Sequence, residues 1–352
     1  MTTRDKFFSM DEDLQFMLLA LDNAVNGMGF VAPNPMVGAV VVKHEQVIGV
    51  GYHQKYGEAH AEVNAINDAG LENCKGATLY VTLEPCSTYG KTPPCTDLIL
   101  KSGIIRVVIG CLDPNPIHAG RAVKILEDND ILVRVGVLEK QCIELNEGFF
   151  KYITDRLPLV TLKMAMTLDG KIACQNGESK WITSDVARAR VQYLRRSSQA
   201  ILVGANTIRQ DRPQLFARND DGTPFSGMPL KRYVASNSLT QEEMAELYPV
   251  DTPKIVKLNS DDDWEDFMYD LASQNVMSLL IEGGGELAAS ALKHQMVDIV
   301  EFHIAPKILT GRDSRVVIGG ENPVSLAEAF ELEDVETFEL GNDFAIRGKI
   351  KK

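Results

Sequence analysis

The sequence predicts an α/β protein built as two domains, and three observations carry that prediction. Short β-branched runs alternate with segments of helical periodicity from residue 10 to residue 152. A second series of the same kind begins at Leu159, just after Asp155-Arg156-Leu157-Pro158, a polar stretch closed by proline that marks a boundary. At 352 residues the chain is long enough for each half to bury its own core. The expected domain limits are 1–154 and 159–352.

In the first half, Met17, Leu18, Leu21, Ala24 and Val25 recur at helical spacing over residues 10–26, with Ser9 and Glu12 offering a capping box. Val37–Val42 and Val47–Tyr52 read as strands joined at the polar turn Lys43–Gln46, a hairpin. His60–Asn67 and Pro94–Ser102 read as helices, and Ala77–Leu83, Ile104–Cys111 and Ile131–Val137 as strands, with a further helix between the last two. Leu138–Tyr152 reads as one more helix. Strands with mostly helical crossovers predict a three-layer α/β/α arrangement.

In the second half, strands are expected at Val160–Met166, Ala200–Val203, Leu230–Ala235, Lys254–Leu258, Val276–Ile281 and Val300–Ile304. Helices fit Ser184–Arg196, Thr240–Leu247, Asp262–Ser273 and Glu286–His294, and Arg218–Met228 reads as a loop. There is no internal repeat and no low-complexity tract.

Composition excludes several classes of function. A net charge of −13 disfavours binding to a nucleic-acid backbone, which needs Lys and Arg to neutralise phosphates. No apolar run approaches the roughly 18–20 residues that cross a bilayer, so no membrane partner is expected. The first residues lack a cationic segment followed by an apolar one, so no secretory signal is expected. Six cysteines in so long a chain are no disulfide framework, which fits a reducing, cytoplasmic setting.

Two of those cysteines have a use as ligands. His60-Ala61-Glu62, with Cys86 and Cys95 in Thr82–Cys95, supplies one imidazole, two thiolates and a carboxylate that is not needed as a ligand. Catalytic zinc takes three protein ligands and a water, and hydrolysis also requires a proton shuttle. His60, Cys86 and Cys95 are therefore candidate ligands of one Zn2+ per chain, and Glu62 the candidate catalytic acid–base. A structural zinc site or unligated core cysteines would not require Glu62 beside three ligands. Cys74, Cys111, Cys142 and Cys174 read as small core or surface residues.

His60-Ala61-Glu62 and Pro85-Cys86 resemble the cytidine-deaminase-like superfamily. The long spacing to Thr92-Pro93-Pro94-Cys95 is similar to its riboflavin-biosynthesis branch. So are Ala32-Pro33-Asn34-Pro35-Met36-Val37-Gly38, Asp113-Pro114-Asn115-Pro116 and Ala119-Gly120-Arg121. The resemblance implies a cytidine-deaminase-like domain acting on a phosphorylated diaminopyrimidine, which loses its C2 amino group as ammonia. It implies substrate contacts at Asn34, Asn115, His53 and Lys91. Asn34 and Asn115 carry an amide donor and acceptor suited to a pyrimidine edge, although Asn-Pro also favours turns. Lys91 would meet the phosphate and His53 the ribose or phosphate. The chain departs from the branch at Thr88, where histidine is usual, and at His118 and Ala122.

The second half carries other motifs: Leu162-Lys163-Met164-Ala165, Thr167-Leu168-Asp169-Gly170-Lys171, Gly177–Ser184, Leu202–Thr207, Asp211-Arg212-Pro213 and Ile281-Glu282-Gly283-Gly284-Gly285. The glycine run between strand and helix suits phosphate approach, though a plain turn would use the same residues, and it is not a GxGxxG. Together the motifs are similar to the riboflavin-type reductase domain, which has a dihydrofolate-reductase-like α/β fold and uses NADPH. The resemblance implies NADPH contacts at Ala165, Trp181, Thr207, Asp211 and the run Gly284, Gly285, Glu286, Leu287, Ala288, Ala289 and Ser290. It implies substrate contacts at Lys163, Ser179, Arg195, Leu215, Arg218 and Glu282. Arg195 and Arg218 would suit phosphate, which guanidinium binds through two hydrogen bonds. Lys163 and Glu282 are candidates for polarising C1′ or moving a proton.

Arg212, Phe216 and Gly285 depart from the usual reductase pattern. Phe216 and Thr88 leave open a zinc deaminase for another nucleobase fused to a reductase of shifted specificity. A binding-only protein on the same fold would have no use for Glu62. A homo-oligomer, dimer or tetramer, is implied by the resemblance alone.

Overall fold

Ala39–Val42 is buried on both faces of its strand, which requires a layer of helices on each side of the sheet. The computed structural model describes residues 3–89 and 93–351, with backbone alone for 3–11. The chain divides into two compact units, Met1–Arg156 and Leu157–Lys352.

The first unit runs α1 (Thr3–Ala24), β1 (Gly38–Lys43), β2 (Gln46–Tyr52), α2 (Ala61–Ala69), β3 (Thr78–Leu83), α3 (Cys95–Ser102), β4 (Arg106–Cys111), α4 (Arg121–Glu127), β5 (Leu132–Val135), α5 (Glu139–Leu145) and α6 (Glu147–Asp155). Its sheet has the order β2-β1-β3-β4-β5, antiparallel on both sides of β1 and parallel from β3 to β5. Ala39 and Val41 meet Ala65 and Ile66 of α2, Ile99 of α3 and Leu126 of α4 on one face. Val40 and Val42 meet Met17 and Ala20 of α1 and Cys142 of α5 on the other, so the unit has three layers. The α2 backbone lies so close to β2 that a Cβ on Gly51 would sit 2.3 Å from the Ala65 nitrogen.

Two expectations are corrected here. α1 is already helical at Thr3, so Ser9 is inside the helix and does not cap it, and Leu18 lies on its exposed side. The stretch 138–152 is two helices that break at Asn146, whose φ of −124° and ψ of 25° leave the helical range. The Asn146 amide instead accepts from the Met36 nitrogen and donates to the Met36 carbonyl, both at 2.8 Å.

The second unit runs β6 (Leu159–Thr167), β7 (Lys171–Ala173), α7 (Asp185–Arg196), β8 (Ala200–Gly204), α8 (Ala205–Asp211), β9 (Lys231–Ala235), α9 (Gln241–Leu247), β10 (Lys254–Val256), α10 (Asp261–Ser273), β11 (Ser278–Glu282), α11 (Gly285–Lys293), β12 (Ile299–Ala305), β13 (Arg315–Val316), β14 (Leu332–Leu340) and β15 (Asp343–Ile350). Its main sheet has the order β10-β9-β8-β11-β6-β12-β15-β14, parallel from β10 to β12 and antiparallel beyond. α10 and α11 cover one face through Trp264, Leu271, Leu287 and Ala291. α8 and α9 pack Ile208 and Met244 on the other face against β8 and β9. The β14–β15 hairpin, α8 and the short pair β7–β13 have no counterpart among the sequence expectations. β14 is an edge strand with most of its residues exposed, so it lacks the alternation that reveals a half-buried strand.

Candidate active sites

The first site forms where three elements begin or end. His60 is the N-cap of α2, Cys86 follows β3, and Cys95 is the first residue of α3. Both cysteine sulfurs approach His60 Nδ1, at 3.4 Å from Cys86 and 3.3 Å from Cys95. Ligands held roughly 2.0 Å (nitrogen) and 2.3 Å (sulfur) from one tetrahedral zinc ion lie about 3.5 Å apart, so this donor set fits zinc in type and spacing. Of the described residues, these three form the cluster with metal-ligand spacing.

The electrostatics favour the same use. The Cys95 thiol and His60 hydrogen-bond to Cys86 and hold its thiol well below the usual thiol range, against burial. The Cys95 backbone nitrogen donates to the same sulfur at 3.2 Å, as an amide at a helix start does for an anion. Glu62, in the first turn of α2, is 3% exposed. Burial pushes its carboxyl pKa up, and the neighbouring Cys86 sulfur adds to the rise. A carboxyl so placed suits taking and returning a proton.

The structure sorts the expected substrate residues. Asn34 and His53 are joined, with Asn34 Nδ2 3.0 Å from His53 Nε2. His53 is 3% exposed and its ring stands edge-on to His60, so it reaches outward only through Asn34. Asn115 Oδ1 accepts from the Ile117 nitrogen at 3.1 Å, which leaves its amide nitrogen as the group to offer a ligand. Lys91 lies outside the described residues. Glu84 is a residue that sequence reasoning passed over. It is 4% exposed and accepts from the backbone nitrogens of Asp113, Gly120 and Ala122 at 3.3, 2.9 and 2.9 Å. Its carboxylate thus ties the loop that carries Asn115 to the turn that carries Cys86. The signal was its place in Glu84-Pro85-Cys86, too polar a residue to follow a buried strand without partners.

The second site is a groove of roughly 1870 Å³ in the second unit, along the C-terminal ends of the parallel strands. This is where ligands bind in open parallel sheets. Ala165, Trp181, Thr207, Asp211, Gly284, Gly285, Glu286, Leu287 and Ser290 line it, with Lys163, Ser179, Arg195, Leu215, Arg218 and Glu282. Ala288 and Ala289 do not: one helical face of α11 meets the groove, and Ala288 is packed in the core. Gly283 and Gly284 have φ of 71° and 81°, and a Cβ on either would lie 3.5–3.6 Å from Thr207 Oγ1. The bare backbone and that hydroxyl form a cradle at the start of α11 that fits the pyrophosphate of a dinucleotide.

At the other end, Glu282, Lys163, Glu301 and Arg347 occupy facing register positions on β11, β6, β12 and β15. Burial pushes the Lys163 pKa down and Glu282 pulls it back. Glu282 is held by Arg195 Nε and Nη2 at 2.8 and 2.7 Å, and Arg195 Nη1 donates to the Phe216 carbonyl at 3.1 Å. All three nitrogens of the Arg195 fork thus have protein partners. Arg218 differs. Its guanidinium lies 5.3 Å from the Phe216 ring centre, and its Nε has no partner among the described residues. The unusual phenylalanine thus packs beside Arg218, whose Nη2 also donates to Gln214 Oε1. Ser179 donates to Asp211 Oδ1 at 3.2 Å, closing the groove beside Trp181.

Known proteins match both units. Residues 158–346 match the RibD C-terminal domain, and residues 10–111 match the cytidine and deoxycytidylate deaminase zinc-binding region. The riboflavin biosynthesis protein RibD of Bacillus amyloliquefaciens is 40% identical over 355 residues, 94% of each chain. That of Aquifex aeolicus is 40% identical over 353 residues, covering 95% of this chain and 97% of its own. The solved structure of Acinetobacter baumannii RibD superposes with a TM-score of 0.85 at 33% identity, over 97% of this chain and 100% of that one. A diaminohydroxyphosphoribosylaminopyrimidine deaminase/5-amino-6-(5-phosphoribosylamino)uracil reductase from Thermotoga maritima superposes with a TM-score of 0.82 at 37% identity, with the same coverage.

Proposed function

The chain belongs to the RibD family of riboflavin-biosynthesis enzymes, and we propose from that premise and the site geometry how its residues divide the work. The protein is bifunctional, a zinc-dependent hydrolytic deaminase and an NADPH-dependent reductase. The deaminase substrate is 2,5-diamino-6-ribosylamino-4(3H)-pyrimidinone 5′-phosphate. The reductase converts the ribosyl side chain of the deaminated product to ribityl, giving 5-amino-6-ribitylamino-uracil 5′-phosphate. Residues 1–154 carry the first activity and 159–352 the second.

The convergence of His60, Cys86 and Cys95 beside a buried Glu62 that none of them needs is the observation that carries the deaminase reading. These three residues would hold zinc, which would supply a nucleophile from water at neutral pH. Glu62 takes the proton from that water and returns it to the C2 amine, which leaves as ammonia while C2 gains a carbonyl. Asn34 presents its amide oxygen to the pyrimidine, because its nitrogen is turned to His53. Asn115 offers its amide nitrogen, and Lys91 is assigned to the phosphate.

In the reductase, NADPH supplies the hydride that goes to C1′ of the opened sugar. Gly283, Gly284 and Thr207 would hold its pyrophosphate, and Ala165, Trp181 and Asp211 would line the groove for its nicotinamide half. Arg218 binds the substrate phosphate. Lys163, between Glu282 and Glu301 on neighbouring strands, moves a proton at the sugar oxygen. Arg195 holds Glu282 in place for that arrangement.

No helix among the described residues is long and apolar enough to cross a membrane, and all six cysteines are free thiols. A cytoplasmic location and a homo-oligomeric state fit this reading. Incubating the zinc-loaded protein with the diaminopyrimidine and NADPH, followed by mass spectrometry, tests it. The expected products show first an amine replaced by a carbonyl oxygen, then the addition of a hydride and a proton. Unchanged substrate would overturn the assignment.

A further inference from the structure

The groove of the second unit extends past the glycine cradle, and its far end has chemistry of its own. β11 borders β8, β8 borders β9, and β9 borders β10, all parallel, so their C-terminal ends form one continuous rim. From β6 to β9 is three strand spacings, about 14 Å, a stretch that an extended dinucleotide covers. With the nicotinamide half at Ala165 on β6 and the pyrophosphate at Gly283-Gly284, the adenosine ribose falls over the end of β9.

That end is polar, tied together and cationic. Arg209 of α8 donates through Nη2 to Ser238 Oγ, after β9, at 2.6 Å and through Nη1 to Asn206 Oδ1 at 3.3 Å. Ser236 Oγ accepts from the Ser238 and Leu239 nitrogens at 3.1 and 2.9 Å, which fixes the turn that carries Ser238. Asn237 Nδ2 donates to Asn259 Oδ1 at 2.6 Å, joining that turn to the one after β10. Two guanidiniums of the groove are taken by carboxylates, Arg195 by Glu282 and Arg188 by Asp185. Among the described residues Arg209 pairs with none, and it is exposed.

We propose that Arg209, steadied by Ser238, is the specificity-determining residue that takes the 2′-phosphate of the adenosine ribose and so selects NADPH over NADH. A carboxylate beside the ribose binds the 2′-hydroxyl of NADH, whereas an arginine accommodates the 2′-phosphate. The groove end places neutral Ser236, Asn237, Ser238 and Asn259 where such a carboxylate would stand. Its side chain is exposed, so the phosphate dianion keeps part of its water and the discrimination comes from a charge-assisted fork. This inference rests on the second unit being the reductase.

Isothermal titration of the full chain separates the two claims. The probes are adenosine 2′,5′-bisphosphate, 5′-AMP, NADP+ and NAD+, none of which requires turnover. In the wild type the 2′-phosphorylated probe of each pair binds more tightly. Arg209→Ala weakens both 2′-phosphorylated probes about ten- to a hundredfold and moves 5′-AMP and NAD+ by less than about threefold. Arg209→Lys recovers part of the loss, and Arg209→Glu removes the preference. Wild-type binding of NADP+ with the same preference in Arg209→Ala and Arg209→Glu would overturn the role of Arg209 alone. A wild type that binds neither dinucleotide would overturn the reductase reading beneath it.

Discussion

His53 accepts a hydrogen bond from Asn34, and the direction of that bond is set on the far side of the imidazole. His53 Nδ1 lies 3.0 Å from the Ala59 carbonyl, which has no proton to give, so Nδ1 carries the ring hydrogen. Burial lowers the His53 pKa, which keeps the ring neutral and leaves Nε2 as an acceptor. Asn34 must then turn its NH2 to His53, which leaves its oxygen free to accept from a ligand. His53→Ala frees that amide to rotate. The expected result is a loss of about ten- to a hundredfold in kcat/KM for deamination, with zinc content and NADPH oxidation on supplied deaminated substrate unchanged.

Glu62→Gln retains zinc, because the carboxylate is not among the ligand cluster. Ammonia release falls by about 10²–10⁴. Reduction of supplied deaminated substrate proceeds at the wild-type rate. Elemental analysis for zinc and separate assays of the two steps check this, and joint loss of both activities would argue against independent sites. Removing zinc with a chelator has the same selectivity.

Glu84→Ala removes the acceptor of three backbone nitrogens around Asn115. Faster amide exchange at residues 113–122 is expected, together with a rise in KM for deamination while zinc is retained. Loss of a charged acceptor of this kind costs about 1.5–3 kcal/mol. Unchanged exchange in that segment would contradict the role given to Glu84.

Glu301 gives a pH signature for the second unit. It is fully buried, and desolvation pushes its carboxyl up, but hydrogen bonds from His303 and Arg190 outweigh this and hold it at about 2. Its folded pKa lies below the ordinary glutamate value of about 4.3, so the stability it contributes is present above about 4.3 and is lost as pH falls toward 2. Glu301→Gln is therefore expected to lower stability by about 3 kcal/mol at neutral pH, as for a broken buried ion pair. In urea unfolding the gap from wild type narrows below about pH 4. A gap independent of pH would show that packing, not charge, is lost.

Much of the first site was legible because its chemistry lies in consecutive motifs. His60, Glu62, Cys86 and Cys95 announce themselves by residue type and spacing, and no other use accounts for all four. The second site was less legible. Thr207 and Gly284 fell in motifs, but nothing local showed that the Arg195 fork meets Glu282 and Phe216. Glu301 and Arg209 carried no motif at all. The 138–152 helix was read as continuous because nothing local shows that Asn146 is wanted by Met36, 110 positions away.

The sequence by itself determined the two-unit α/β plan and the zinc donor set with Glu62 two residues from His60, since periodicity and ligand chemistry are local properties. Only the tertiary structure decided that the Asn34 amide pairs with His53, that the Arg195 fork meets Glu282 and Phe216, and that Lys163 stands between two carboxylates. Those outcomes depend on strand register and on competition between distant partners for the same donor. Residues such as Lys163 and Glu301 are 138 positions apart in sequence and face each other only after β6 and β12 have paired.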